Sequence, residues 1–166
     1  MEKSVNRARR YDPSKSIRRA KSMKAVSPEW RIEVADDEYV WATRMDRVHI
    51  LRKGLPYETI EVISKRANIP VKQILNLLGV PQTTYNKKKR EKELLSGRDS
   101  EVILSLTELL DFGSVVFNHE DEKFQRWLKK INISLGGVTP GSLFDSLTGI
   151  QEVRNCLNRL EYGNLA

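Results

Sequence analysis

Eight side chains between positions 82 and 90 are of types that contact nucleic acid. Gln82, Thr83, Thr84 and Asn86 carry amides and hydroxyls. Such groups reach base edges or phosphate oxygens when they occupy the first turns of a helix laid in the major groove. Lys87, Lys88, Lys89 and Arg90 follow immediately, and a run of cations beside such a surface neutralises phosphates, which adds affinity without choosing a sequence. Chemistry of other kinds has few candidates. His49 and His119 lie far apart and Cys156 is the only cysteine, too few groups for a structural zinc cluster of the usual spacing. No glycine-rich phosphate loop or nucleophile elbow occurs. We therefore expect no enzyme activity, no metal and no cofactor.

The amides, hydroxyls and cations need a helix-turn-helix beneath them, and residues 71–88 have its proportions. Val71, Ile74, Leu75 and Leu78 form an apolar stripe. Gly79 then supplies a turn that needs positive φ. Val80 and Tyr85 fall where the second helix, starting near Gln82, must pack on the first. Leu75 stands where alanine is usual, and Pro81 where a serine cap is common; either substitution alters the angle between the helices. The same spacing also fits a plain helical hairpin with a solvated lysine face.

The remaining chain reads as all-α, with no convincing strand and no internal repeat. Asp36 and Asp37 suit a helix start, followed at helical spacing by Val40, Trp41, Arg44, Val48 and Leu51, with a break at Gly54-Leu55-Pro56. Ile60, Ile63 and Ala67 lie on one face of the next helix, and the helix from Gln82 is expected to run toward Leu94 and Leu95. Ser96 and Asp99 read as a capping box ahead of the longest helix, which carries Val102, Leu106, Leu109, Gly113 and Phe117. Asn118 with Asp121 would cap a helix bearing Phe124, Trp127, Leu128 and Ile131. Thr139-Pro140 reads as a cap and first helical position, and Thr148 with Gln151 as a second capping box before Ile150, Val153, Leu157 and Leu160. Three parts result: a basic flexible arm at residues 1–35, a helix-turn-helix domain at 36–95, and a helical domain at 96–166.

Charge divides the same way. The chain carries +7 in total; residues 100–166 hold six basic and nine acidic side chains, a net of −3, which leaves +10 for the first 99 residues. A basic half joined to an acidic half points to nucleic acid on one side and a different partner on the other. No apolar run approaches the roughly 18 residues of a membrane span and no apolar signal core follows Arg7, Arg9 and Arg10, so a cytoplasmic protein with no membrane partner is expected.

The C-terminal third carries a motif series. Trp127-Leu128, Leu135-Gly136-Gly137-Val138-Thr139-Pro140, Leu143, Gly149, Val153, Leu157 and Arg159-Leu160-Glu161-Tyr162-Gly163 appear in that order. Together they resemble the toxin-binding domain of the Xre/MbcA/ParS antitoxins, which pair with RES-domain toxins. Gly54-Leu55-Pro56 and the helix-turn-helix resemble the Xre-like domain that accompanies it, so the resemblance spans residues 45–166. Three positions depart from it: Phe124 and Gly113 both stand where alanine is frequent, and Ile131 where proline is common.

The resemblance implies an antitoxin that binds a toxin consuming NAD⁺ and blocks its active site with the C-terminal region. It also implies repression of its own operon through operator DNA, as a homodimer within a hetero-oligomeric complex. Glu161, Tyr162, Gly163, Asn164, Leu165 and Ala166 would approach the toxin pocket, and Thr139, Pro140, Gly141 and Leu143 would border the interface. Thr139 and Pro140 read equally well as a helix cap, and Trp127, given its apolar stripe, reads as core. The rival reading is a stand-alone helix-turn-helix transcription regulator whose C-terminal half is a dimerisation domain.

Overall fold

A computed structural model describes residues 29–163 of the chain. Most of the expected arm, and the tail residues Asn164, Leu165 and Ala166, lie outside them. Among the described residues seven α-helices follow a two-stranded hairpin, so the protein is mostly helical, as its patterning indicates.

The hairpin is a correction. Strands β1 (Trp30–Val34) and β2 (Asp37–Trp41) pair antiparallel, with Trp30 opposite Trp41 and Val34 opposite Asp37. Ile32, Val34, Tyr39 and Trp41 alternate inward while Arg31, Glu33 and Glu38 face water, the two-residue period of a half-buried strand. Asp36 and Asp37 belong to the turn and to β2 rather than to a helix start, and the boundary expected between residues 35 and 36 falls inside this turn. The helix begins later, as α1 (Arg44–Lys53), behind a full capping box. Thr43 Oγ1 accepts from the Asp46 amide at 3.1 Å, and the Asp46 carboxylate accepts from the Thr43 amide at 2.9 Å.

Helices α2 (Thr59–Ala67), α3 (Val71–Leu78) and α4 (Gln82–Arg90) follow. Helix α4 stops at Arg90, short of the expected Leu94 and Leu95. Leu94 instead forms a bridge with Pro56, and the Leu95 amide donates to the Leu55 carbonyl at 2.7 Å. The 20-residue α5 (Gly97–Val116) is the central helix. Its N-cap Ser96 accepts from the Asp99 amide as expected, and the serine hydroxyl also donates to the Asp99 carboxylate. Leu104, Leu106 and Leu109 are fully buried, because α5 packs on β1, α1, α2, α6 (Asp121–Lys129) and α7 (Leu147–Tyr162) at once.

Three further expectations fail locally. Helix α6 starts after Glu120 with no side-chain cap, so Asn118 does not cap it; Asn118 adopts φ +54° in the connecting turn, and Asp121 accepts from the Ser114 hydroxyl. Helix α7 is capped by Ser146, whose Oγ accepts from the Gly149 amide at 3.0 Å, rather than by Thr148 and Gln151. Ile131 is not on the α6 stripe, because the helix ends at Lys129 and leaves Ile131 two-thirds exposed.

A buried carboxylate organises the middle of the molecule. Glu108 on α5 is 8% exposed. Its Oε1 accepts from Trp41 Nε1 at 2.9 Å and from Arg47 Nη1 at 2.8 Å, and Arg154 Nη1 on α7 approaches its Oε2 at 4.0 Å. The hairpin, α1, α5 and α7 therefore meet on one side chain.

Two of the three departures from the resemblance, Gly113 and Phe124, also meet. A Cβ placed on Gly113 would lie 2.2 Å from Phe124 Cζ, so the ring occupies the space an alanine methyl would take. Phe124 in turn stacks with Trp127 and Phe117, at centroid distances of 6.1 and 5.6 Å. Gly113→Ala is expected to cost about 1–3 kcal/mol by overpacking and Phe124→Ala about 3–5 kcal/mol by leaving a cavity. The double variant should be more stable than the sum of the two by about 0.5–3 kcal/mol, measured by urea unfolding; strict additivity would mean that the two side chains do not compete for the same space.

Candidate functional site

Helices α3 and α4 form the helix-turn-helix. Ile74 and Leu75 of α3 are buried, so the larger Leu75 is accommodated within the core. Gly79 ends α3 at φ +68°, a left-handed conformation that glycine adopts without cost, and the Val80 amide closes the turn on the Leu75 carbonyl at 2.9 Å. Pro81 is the N-cap of α4 and makes no side-chain cap. The first amides of α4 thus have no side-chain acceptor, the condition in which a helix end receives a phosphate.

Tyr85 is the single buried side chain of α4 and divides the helix into two faces. Gln82, Thr83, Asn86, Lys87 and Arg90 point outward and are exposed, with Gln82 Nε2 donating to Asn86 Oδ1 at 3.0 Å. Thr84, Lys88 and Lys89 lean toward the body and are half-buried. Of the eight residues selected from the sequence, five therefore share one accessible surface and three flank the contact with the core.

The inner face is held by acids. The Tyr85 hydroxyl donates to Glu61 Oε1 on α2 at 3.0 Å, and Lys89 Nζ pairs with the same oxygen. These contacts with Lys89 and Tyr85 hold the Glu61 carboxyl below its ordinary range, while burial and the nearby carboxylate push the Tyr85 hydroxyl well up. Lys88 Nζ pairs with Glu93 at 2.7 Å and lies 5.8 Å from the centroid of the Tyr57 ring.

The second candidate surface is at the other end of the chain. Between α6 and α7 the backbone makes two 3₁₀ turns, Ile133–Leu135 and Pro140–Leu143, joined across a bridge between Asn132 and Val138. Thr139 and Leu143 are half-buried, and Leu143 packs on the core. Pro140 is buried, at the first position of its turn. Gly141 is wedged near the Leu128 carbonyl, and its own carbonyl accepts from Gln73 Nε2 of α3 at 2.8 Å. Pro140 and Gly141 thus sit in the seam with the helix-turn-helix rather than on an open face. Trp127 is half-buried against Phe117 and Phe124, as a core residue would be. Glu161, Tyr162 and Gly163 are exposed at the end of α7, with Tyr162 71% accessible.

Sequence patterning missed the most exposed apolar side chains. Ile133 is 90% and Ile131 67% accessible, and Leu160, expected on the buried stripe, is also exposed. Ile131 and Ile133 flank Asn132, whose Nδ2 reaches Cys156 Sγ at 3.5 Å, one helical turn before Leu160 on α7. The sequence pattern places Ile131 on the α6 stripe and leaves Ile133 alone beyond it, too little to reveal an exposed apolar surface. Among the described residues no group of three or more His, Cys, Asp and Glu is placed to hold a metal ion.

A helix-turn-helix DNA-binding module packed against a small helical partner-binding module defines the class. Residues 46–107 match the family described as antitoxin Xre-like helix-turn-helix domain, and residues 112–163 match the antitoxin Xre/MbcA/ParS C-terminal toxin-binding domain. The chain thus carries both domains of these antitoxins, one after the other. It is 28% identical over 114 residues to antitoxin Xre of Photorhabdus laumondii, covering 69% of this chain and 77% of that one. It is 27% identical over 116 residues to antitoxin Xre of Yersinia enterocolitica, covering 70% and 78%. It is also similar to a protein of Sphingobium sp. named Prs ADP-ribosylating antitoxin, 26% identical over 133 residues that cover 75% and 84% of the two chains.

The Glu61 pairing makes stability depend on pH. Because its folded-state pKa is depressed, its contribution is fully present above the ordinary value of 4.5 and is lost as pH falls below that through the folded value. Urea titrations at neutral pH and below this range should show a smaller acid-induced loss in Glu61→Gln than in the parent; equal losses would mean that the pair contributes nothing to folding.

Proposed function

We propose that the protein neutralises a cognate toxin through its C-terminal module and represses its own operon through α4. The observation that carries this reading is the end of α7. The segment matching a toxin-binding domain finishes at residue 163, where Tyr162 stands in solvent at the end of α7, and Ile131 and Ile133 are exposed on the segment that Asn132 ties to Cys156 of the same helix. An aromatic side chain on a preorganised element with apolar neighbours is a common source of interface energy, since little conformational freedom is lost on docking. In this reading Ile131, Ile133 and Leu160 make the hydrophobic contact, Thr139 and Leu143 border it, and Glu161, Tyr162, Gly163, Asn164, Leu165 and Ala166 enter the toxin's active site. Pro140 and Gly141 act through the fold.

The proposed toxin consumes NAD⁺. The resemblance to partners of RES-domain toxins supports this chemistry, and ADP-ribosylation, which figures in the name of the Sphingobium relative, likewise starts from NAD⁺. On the DNA side Gln82, Thr83 and Asn86 read base edges, while Lys87 and Arg90 meet phosphates, in a homodimer that spans two half-sites. The proposed division of labour assigns residues up to 95 to DNA and residues 96–166 to the toxin, in the cytoplasm. No helix among the described residues is long and apolar enough to cross a membrane.

Two experiments test the reading. The protein is co-expressed with the product of the neighbouring gene, and NAD⁺ loss and ADP-ribosyl transfer to protein are both assayed. Removing residues 162–166 should abolish inhibition of the toxin while leaving DNA affinity unchanged; a truncated protein that still protects cells would refute the tail mechanism. Ile133→Asp should weaken the complex by about 2 kcal/mol, roughly thirtyfold. If it instead dissociates a homodimer and leaves toxin inhibition intact, the C-terminal half is a dimerisation device, as the rival reading holds.

A further inference from the structure

The four cations that close α4 occupy two unlike settings. Lys87 and Arg90 are exposed and have no acidic partner within ion-pair distance among the described residues. Lys88 and Lys89 flank Tyr85 and are each engaged by a carboxylate, from Glu93 and Glu61 respectively. The Glu61 carboxylate is itself anchored: the Tyr85 hydroxyl donates to the same Oε1 that Lys89 occupies, at 3.0 Å. Tyr85 is buried and cannot follow Lys89 outward. Lys65, one turn along α2, is the other cation that favours the charged form of Glu61.

We propose that Glu61 is an intramolecular counter-ion that withholds Lys89 from DNA phosphate and thereby sets the affinity of the helix-turn-helix. This rests on the reading of α4 as the helix that faces DNA. A phosphate that recruits Lys89 must displace a carboxylate held in place by a buried tyrosine, and that carboxylate repels the incoming phosphate as well. The working set of cations on α4 is then Lys87 and Arg90, and Glu61 is a positioning residue on α2 that touches no DNA.

Glu61→Gln is the informative substitution, because glutamine keeps a carbonyl to accept from Tyr85 and loses the charge. The probe is a fluorescein-labelled, mixed-sequence DNA duplex of about two helical turns, titrated with full-length protein from about 50 to 200 mM salt. E61Q is expected to steepen the slope of log affinity against log salt by about 0.9, the increment of one added phosphate contact. Its gain in affinity should be about threefold larger at the low-salt end than at the high-salt end. Lys89→Gln in the parent should leave the slope unchanged, and in the E61Q background it should cancel the gain. A slope lowered by about 0.9 in K89Q alone would show that Lys89 already contacts phosphate and would overturn the proposal, without any need for E61Q to fold. So would an E61Q protein of parental melting temperature with an unchanged slope. Failure of the underlying reading has a different signature: Lys87→Gln with Arg90→Gln would bind DNA like the parent.

Discussion

The carboxylate of Glu108 sits nearly dry in the middle of α5, and the arrangement around it depends on keeping that charge satisfied. An ionised group taken out of water costs several kcal/mol unless partners replace its hydration. Here they are the Trp41 indole and the Arg47 guanidinium, with Arg154 at the edge. Each comes from a different element. The hairpin must carry Trp41 to that depth, α1 must present Arg47 across α5, and α7 must run close enough to bring Arg154 near. An apolar side chain at position 108 would leave the Trp41 indole N–H and Arg47 Nη1 without an acceptor, while Arg47 Nη2 would keep Ser105 Oγ, so the polar centre specifies how the surrounding elements are placed as well as whether they pack.

Because these contacts converge on α5, the helix-turn-helix module and the C-terminal module share one hydrophobic core rather than two. Further links run directly between them. Gln73 of α3 donates to the Gly141 carbonyl, and Gln125 of α6 donates to the Arg66 carbonyl of α2, each at 2.8 Å. The exposed faces of α4 and of the α7 end are therefore two surfaces of one solid body. On the proposed reading, the described part of each recognition face is held by this core before a partner arrives.

How much of this was readable in the sequence varied with the kind of signal. The helix-turn-helix was legible because Gly79, Tyr85 and the stripe at Ile74 and Leu75 obey strictly local rules of turn geometry and helical period. The C-terminal module was legible through a motif series, while its surface was not. Ile131 looks like a core residue until it is known that α6 stops at Lys129. The hairpin was missed although residues 30–41 alternate inward and outward, because Asp36 and Asp37 imitate the start of a helix; the deciding fact is that Trp41 is needed beside Glu108, 67 positions away. The cationic run was visible as a run, but only its fold-dependent neighbours Glu61 and Glu93 divide it into two classes of lysine.

The fit of Phe124 against Gly113 also bears on how this chain relates to others of its family. With alanine at both positions the space is shared between two methyl groups; here one residue has surrendered its share entirely and the other has taken it. Enlarging position 124 while a methyl stands at 113 brings the overpacking cost, whereas losing the methyl first leaves an unfilled gap, so either path between the two solutions passes through a less stable form. The two positions are thus coupled through shared volume, and a change at one alters which side chains the other can accept, without either having to meet a partner.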